Sequence, residues 1–185
     1  MQNWQIVALA VAVVVVIAAA VWVVYNRNRS RHLRAHFGSE YDRTVREFGD
    51  RRSAETELSQ REERVRKLQI RPMSVADRNR FGAEWMSCQR LFVDDPGRAL
   101  EHADGLLTEV IRTRGYATSN PYDRMADISA AYPEHASHYR EAGEILAHQH
   151  RGEASTENLR KAFIHYRTLF DEILGGQDEE LKRAS

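Results

Sequence analysis

The sequence predicts an all-α protein in which a single N-terminal transmembrane helix leads through a juxtamembrane helical segment into an antiparallel helical bundle. Twenty uncharged residues run without interruption from Ile6 to Tyr25. After them, apolar positions recur at helical spacing, and helix-starting caps and helix-ending glycines mark boundaries at short intervals. No stretch alternates apolar and polar residues for long enough to make a sheet, and no repeat of about 20 to 50 residues points to a solenoid. The expected division is an anchor over 1–26, a basic and charged helical segment over 27–71, the bundle over 72–176 and a polar tail over 177–185.

The anchor follows from length and composition. At about 1.5 Å per residue, twenty helical residues span a hydrocarbon core of roughly 30 Å. Twelve of the twenty are Val, Ile or Leu, which makes insertion favourable by about 5 kcal/mol. Trp4 on one side and Trp22 with Tyr25 on the other match interfacial aromatic anchors. A cleaved signal peptide fits less well, because Met1 to Gln5 carries no Lys or Arg and the small residues Ala18 to Ala20 are followed by more apolar sequence. Arg27, Arg29, Arg31 and Arg34 come after the span, so the positive-inside bias places the N-terminus outside and the bulk of the chain in the cytoplasm. These four arginines are the expected contacts to lipid head groups, and Arg27, Arg31 and Arg34 share one helical face, at roughly 1 kcal/mol each.

Charge is distributed unevenly along the rest of the chain. From Asn26 to Arg71 there are 13 Lys and Arg against 8 Asp and Glu; from Pro72 onward there are 14 against 19. Between Phe37 and Ile70 one thin apolar stripe carries Phe37, Tyr41, Val45 and Phe48, and a second carries Ala54, Leu58, Val65 and Leu68, with Gly49 between them. Charged residues surround the second stripe, as expected of a solvated helix with one packing seam. Such a seam serves either its own domain or a coiled-coil partner, and two heptads are too few to require the latter.

Arg71 and Pro72 end that helix, and Ser74 with Asp77 starts the next, whose inner face is Phe81, Trp85, Cys88 and Phe92. Asp95 and Pro96 repeat the signal, and the stripe Ala99, Ala103, Leu106, Val110 runs to Gly115. Asn120 with Pro121, and then Pro133, open two more helices; the inner face of the latter is expected at Ala136, Tyr139, Gly143 and Leu146, ending near Gly152. Ser155 or Thr156 caps the last helix, with Leu159, Phe163, Tyr166, Phe170 and Leu174 inward and Gly175 and Gly176 as its stop.

Catalytic and metal-binding patterns are sparse. The single cysteine, Cys88, excludes an intramolecular disulfide framework and reads as core filling. His135 and His138 share a face, but no histidine has Glu three residues before it and no His-Glu-x-x-His occurs, so no metal or cofactor is expected. Asp94 and Asp95 precede a helix start and read as capping carboxylates. Arg112, Arg114, Gly115 and Tyr116 form a basic helix end, which already suits the helix dipole. Glycine-rich phosphate loops and Gly-x-Ser-x-Gly are absent, and the acidic distal part argues against nucleic acid.

Several segments taken together, Phe37–Asp42, Asp50–Glu55, Leu68–Pro72, Phe92–Pro96, Arg114–Tyr116, Ala154–Glu157 and His165–Phe170, resemble a family of uncharacterised bacterial proteins with one N-terminal membrane helix and a helical domain. The resemblance spans nearly the whole chain and implies that architecture and a bacterial plasma membrane, with no established activity. Where such relatives are expected to carry Asp-His-Pro, this chain has Ala131, Tyr132 and Pro133. The expected function is therefore a non-enzymatic interaction or scaffold protein, which contacts membrane lipids through its N-terminal helix and a protein partner or itself through exposed helix faces. The alternative is a small-ligand sensor or enzyme with a pocket between bundle helices near Arg114, Tyr116 and His165.

Overall fold

The computed structural model describes residues 3–116 and 120–184, and the side chains of residue 4, of residues 11–116 and of residues 120–175. Among the described residues all regular structure is helical: α1 (Asn3–Phe37), α2 (Ser39–Phe48), α3 (Arg51–Lys67), α4 (Val75–Asp94), α5 (Pro96–Arg114), α6 (Pro121–Ala131), α7 (Ala136–His150) and α8 (Thr156–Ala184). The chain forms two compact units, Met1–Thr56 and Glu57–Ser185.

In the first unit, α1 is one unbroken helix of 35 residues, about 50 Å long. Its described part is long and apolar enough to cross a membrane. From Val11 to Tyr25 the large side chains are 45% to 67% exposed on every side, so the chain itself does not cover them. The character changes after Tyr25, where Leu33 and Phe37 are buried and α1 packs on α2. Gly38 breaks the helix at φ 50°, and Gly49 ends α2 in the left-handed region while donating its N–H to the Val45 carbonyl. Tyr41 is buried as its place on the apolar stripe predicts, whereas Phe48 at the end of the same stripe is exposed. Asp50 then starts α3 by accepting from Ser53 N and Oγ, both at 2.8 Å.

The second unit is built by the local signals in its sequence. Ser74 Oγ accepts from Asp77 N, Asp95 Oδ1 from Arg98 N, Asn120 Oδ1 from Asp123 N and Ser155 Oγ from Asn158 N, so four polar caps start α4, α5, α6 and α8. Asp95 also closes α4 through its N–H to the Leu91 carbonyl. This one-residue connection makes α4 and α5 an antiparallel hairpin, tied by Arg80 to Glu109 at 3.0 Å. In the same way α7 and α8 run antiparallel, with His135 near Glu172 at one end and Glu141 near Lys161 at the other.

Between the two hairpins, α5 and α8 pack in the same direction: Tyr166 donates to Asp104 at 3.0 Å, and further along both helices Arg114 Nη1 donates to the Ile173 carbonyl at 2.9 Å. Ala99 and Ala103 on α5 and Ala162 on α8 are fully buried, and such small residues let two helices approach closely. Trp85 brings α4 onto this pair, its ring centroid 5.0 Å from Phe163 and 4.7 Å from Phe170. Leu100, Leu107, Val110, Ile111, Leu169 and Ile173 complete the centre.

Three expectations of detail are corrected. Pro133 lies in a turn and α7 begins only at Ala136, because His135, not a proline, occupies its N-cap. Gly143 is exposed, and Ala142 takes its place on the inner face of α7 beside Ala136 and Tyr139, with Leu146 partly buried against the core. Gly175 and Gly176 do not stop α8, which continues to Ala184. A helical glycine costs only about 1 kcal/mol, and the good helix formers Glu179, Glu180, Leu181, Lys182 and Arg183 follow.

Candidate functional site: an arginine-lined groove

A concave surface lies inside the first unit, where α1 emerges from its apolar run. A cavity of about 890 Å3 is lined on the α1 side by Trp22, Val23, Tyr25, Asn26, Arg27, Arg29, Ser30, Arg31 and Arg34, and on the other by Asp50 to Arg52, Glu55 and Thr56. All four arginines expected at the head groups are therefore on one wall, and the fold adds Arg51 and Arg52 opposite them. Six arginines face two carboxylates in this lining, and both carboxylates are already engaged within the protein.

Asp50 is held by Ser53, whose backbone N–H and hydroxyl keep its carboxyl below the ordinary range. Glu55 is largely buried at the junction of α1, α2 and α3. It accepts from Tyr41 Oη at 2.7 Å, from Arg51 Nε at 2.8 Å and from Ser30 Oγ at 2.9 Å. Burial alone would raise its pKa, but the hydrogen bonds from Tyr41, Arg51 and Ser30 outweigh burial and lower it, so Glu55 is charged at neutral pH. Burial, and then the Glu55 carboxylate, push the Tyr41 phenol upward, which keeps it a neutral donor. Arg51 Nε also lies 3.0 Å from Tyr41 Oη, and the Arg34 guanidinium sits 5.0 Å from the Tyr41 ring centre. The groove walls are thus fixed by a polar cluster contributed by three helices. Arg27 and Arg31 have no carboxylate partner among the described residues.

Sequence reasoning placed the arginines of α1 but missed Arg51, Arg52 and the Tyr41–Glu55 cluster. The legible signal was a tyrosine on a thin apolar stripe; its partner lies 14 residues away across a helix break.

The residues considered for a bundle pocket are committed to separate partners in the second unit. Arg114 is buried and donates to the Ile173 carbonyl, and Tyr116 meets Tyr132 through their hydroxyls at 3.4 Å. His165 stacks on His138 at 4.6 Å, with its Nε2 3.1 Å from Glu141 but without hydrogen-bond alignment. Ile173 is eight residues beyond His165 on α8, about 12 Å along the axis, so Arg114 and His165 serve different levels of the bundle. His135 and His138 likewise have different neighbours, Glu172 and His165. Among the described residues no three of His, Cys, Asp and Glu come together as a metal site. Cys88 is buried, and burial raises its thiol pKa, in keeping with a packing role.

The chain matches no known family model, no curated protein and no solved structure.

Proposed function

We propose that this is a membrane-anchored, non-enzymatic interaction or scaffold protein: α1 spans a bacterial plasma membrane with its N-terminus outside, and the helical bundle works from the cytoplasmic face. The observation that carries the anchor is the run Val11–Tyr25, whose large apolar side chains stay exposed on all sides of the helix. A helix that is apolar all round needs an apolar surrounding, and here the protein supplies none. Arginines confined to the far side of the span support the orientation, and the resemblance to bacterial single-span proteins supports the compartment.

For the interaction, support comes from α4. Val75, Met86 and Val93 are 70%, 58% and 83% exposed, and their spacings of 11 and 7 residues put them on one face of the helix. Polar and small residues such as Asn79, Gly82 and Arg90 separate them, so they mark single contact points for a protein partner or a second copy and not a continuous apolar patch. The test joins a topology reporter after Ser185 to salt-washed membrane fractionation and to capture from gently solubilised membranes. A cytoplasmic reporter, retention in the membrane and recovery of a stoichiometric partner or dimer are expected. An external C-terminus, release by salt, or recovery of the monomer alone overturns the reading.

A further inference from the structure

We propose that the arginine-lined groove binds the phosphate of an anionic phospholipid from the leaflet beside it, a specific head-group site and not only a charged collar. The inference rests on the anchor reading above and deepens it. The ligand chemistry is set by the charge balance. Of the eight charged residues lining the cavity, six are arginines, and the two carboxylates, Asp50 and Glu55, are satisfied by Ser53 and by the Tyr41, Ser30 and Arg51 donors. Six arginines against two carboxylates leave the lining with an excess of positive charge, and Arg27 and Arg31 have no carboxylate partner among the described residues. Guanidinium groups offer paired, planar donors that fit phosphate oxygens.

The site is built before a ligand arrives. Arg51 is held through Nε by Glu55 and Tyr41, which leaves its terminal amino groups for an incoming acceptor. Arg31 and Arg52, from opposite walls, are independent of that cluster. Holding such groups in place lowers the ordering cost of binding.

That the phosphate belongs to a lipid, and is not free in solution, follows from the apolar part of the lining. Trp22 and Val23 lie in the same cavity as the arginines, so one continuous surface offers a wall for acyl chain and donors for head group. A soluble phosphate uses only the second, and a cavity of about 890 Å3 far exceeds it. A phospholipid uses both.

The test uses the full chain in nanodiscs of phosphatidylcholine with a minor fraction of phosphatidylglycerol, reading the lipids that remain bound by native mass spectrometry. Retained lipid should be enriched in phosphatidylglycerol at least tenfold over its fraction in the disc. Arg31→Gln and Arg52→Gln should each reduce that enrichment roughly fivefold, the effect of about one arginine at an anionic surface. Arg43→Gln and Arg46→Gln, which remove the same charge from α2 outside the groove, should leave it unchanged.

Equal losses in both sets would mean diffuse surface charge and would overturn the site. Displacement of the retained lipid by millimolar inorganic phosphate would make free phosphate the ligand and overturn the lipid assignment. Failure to insert into discs of phosphatidylcholine alone would bring down the anchor and the site together, whereas stable insertion with no anionic enrichment would overturn the site alone.

Discussion

Asp127 and Arg64 provide the sharpest energetic prediction, because the two ends of their ion pair differ so much in exposure. Arg64 Nε lies 2.8 Å from Asp127 Oδ1; the aspartate side chain is 0% exposed and the arginine 36%. Removing the arginine strands a carboxylate in the interior, an error that costs about 3–5 kcal/mol when nothing else compensates. Asp127 keeps a further polar partner, which puts Arg64→Met near the lower end, about 3 kcal/mol. Asp127→Asn instead leaves Arg64 part-exposed and still paired with Asp123 at 3.3 Å, and an amide that can still accept a hydrogen bond, so about 1 kcal/mol is lost. For a unit of this size each kcal/mol moves Tm by about 3–5 °C. Thermal unfolding of the detergent-solubilised chain, followed by helical circular dichroism, should therefore drop by about 10 °C for Arg64→Met and by less than half that for Asp127→Asn. The double variant should lie close to Asp127→Asn, since no charge is then stranded. If Asp127→Asn proves as damaging as Arg64→Met, the asymmetry argument is wrong and the pair acts through shape alone.

The same structure makes four further predictions. His165 has a depressed pKa, chiefly from burial and then from the charge of His138. The unfolded chain therefore takes up a proton near pH 6.5 that the folded chain refuses, and stability that is complete above about pH 6.5 declines as pH falls from there toward the folded pKa; His165→Gln should flatten that slope in Tm against pH. Gly115 has φ 97°, and a Cβ there would come within 2.8 Å of the Gln69 carbonyl oxygen, so Gly115→Ala should destabilise by about 2 kcal/mol. Gly82, in mid-helix with open space around it, should instead gain about 0.5–1 kcal/mol on change to Ala. Tyr41→Phe removes a buried hydrogen bond to a charged acceptor, at a cost of about 1.5–3 kcal/mol; hydrogen exchange should accelerate in α2 and the first turns of α3 while α5 and α8 keep their protection.

Much of the architecture was legible because its determinants are local. The apolar run to Tyr25, the capping side chains Ser74, Asp95, Asn120 and Ser155, and the left-handed stops at Gly49 and Gly115 each act within a turn or two of their own position. The neighbouring chain is all that such a signal needs, so the sequence by itself determined an all-α protein with an apolar leading helix and most of its helix boundaries. It also determined that Phe81, Trp85 and Cys88 face inward together, since helical spacing leaves them no other common side.

Tertiary structure decided whatever depends on which helices meet. Connection lengths made α4 with α5 and α7 with α8 antiparallel; that α5 and α8 pair in the same direction rests on small buried residues, Ala99, Ala103 and Ala162, brought together from distant segments. The burial of Asp127 was not readable, because its partner Arg64 lies 63 residues earlier in a segment that reads as solvated. That Ala142 and not Gly143 is buried on α7 is decided by the surface the helix packs on. The groove follows the same rule. Four of its arginines stand in a row on α1, but the opposite wall and the Tyr41–Glu55 cluster that steadies it exist only once Gly38 and Gly49 have turned the chain back, and no periodicity in sequence encodes a surface made by two helices separated by a third.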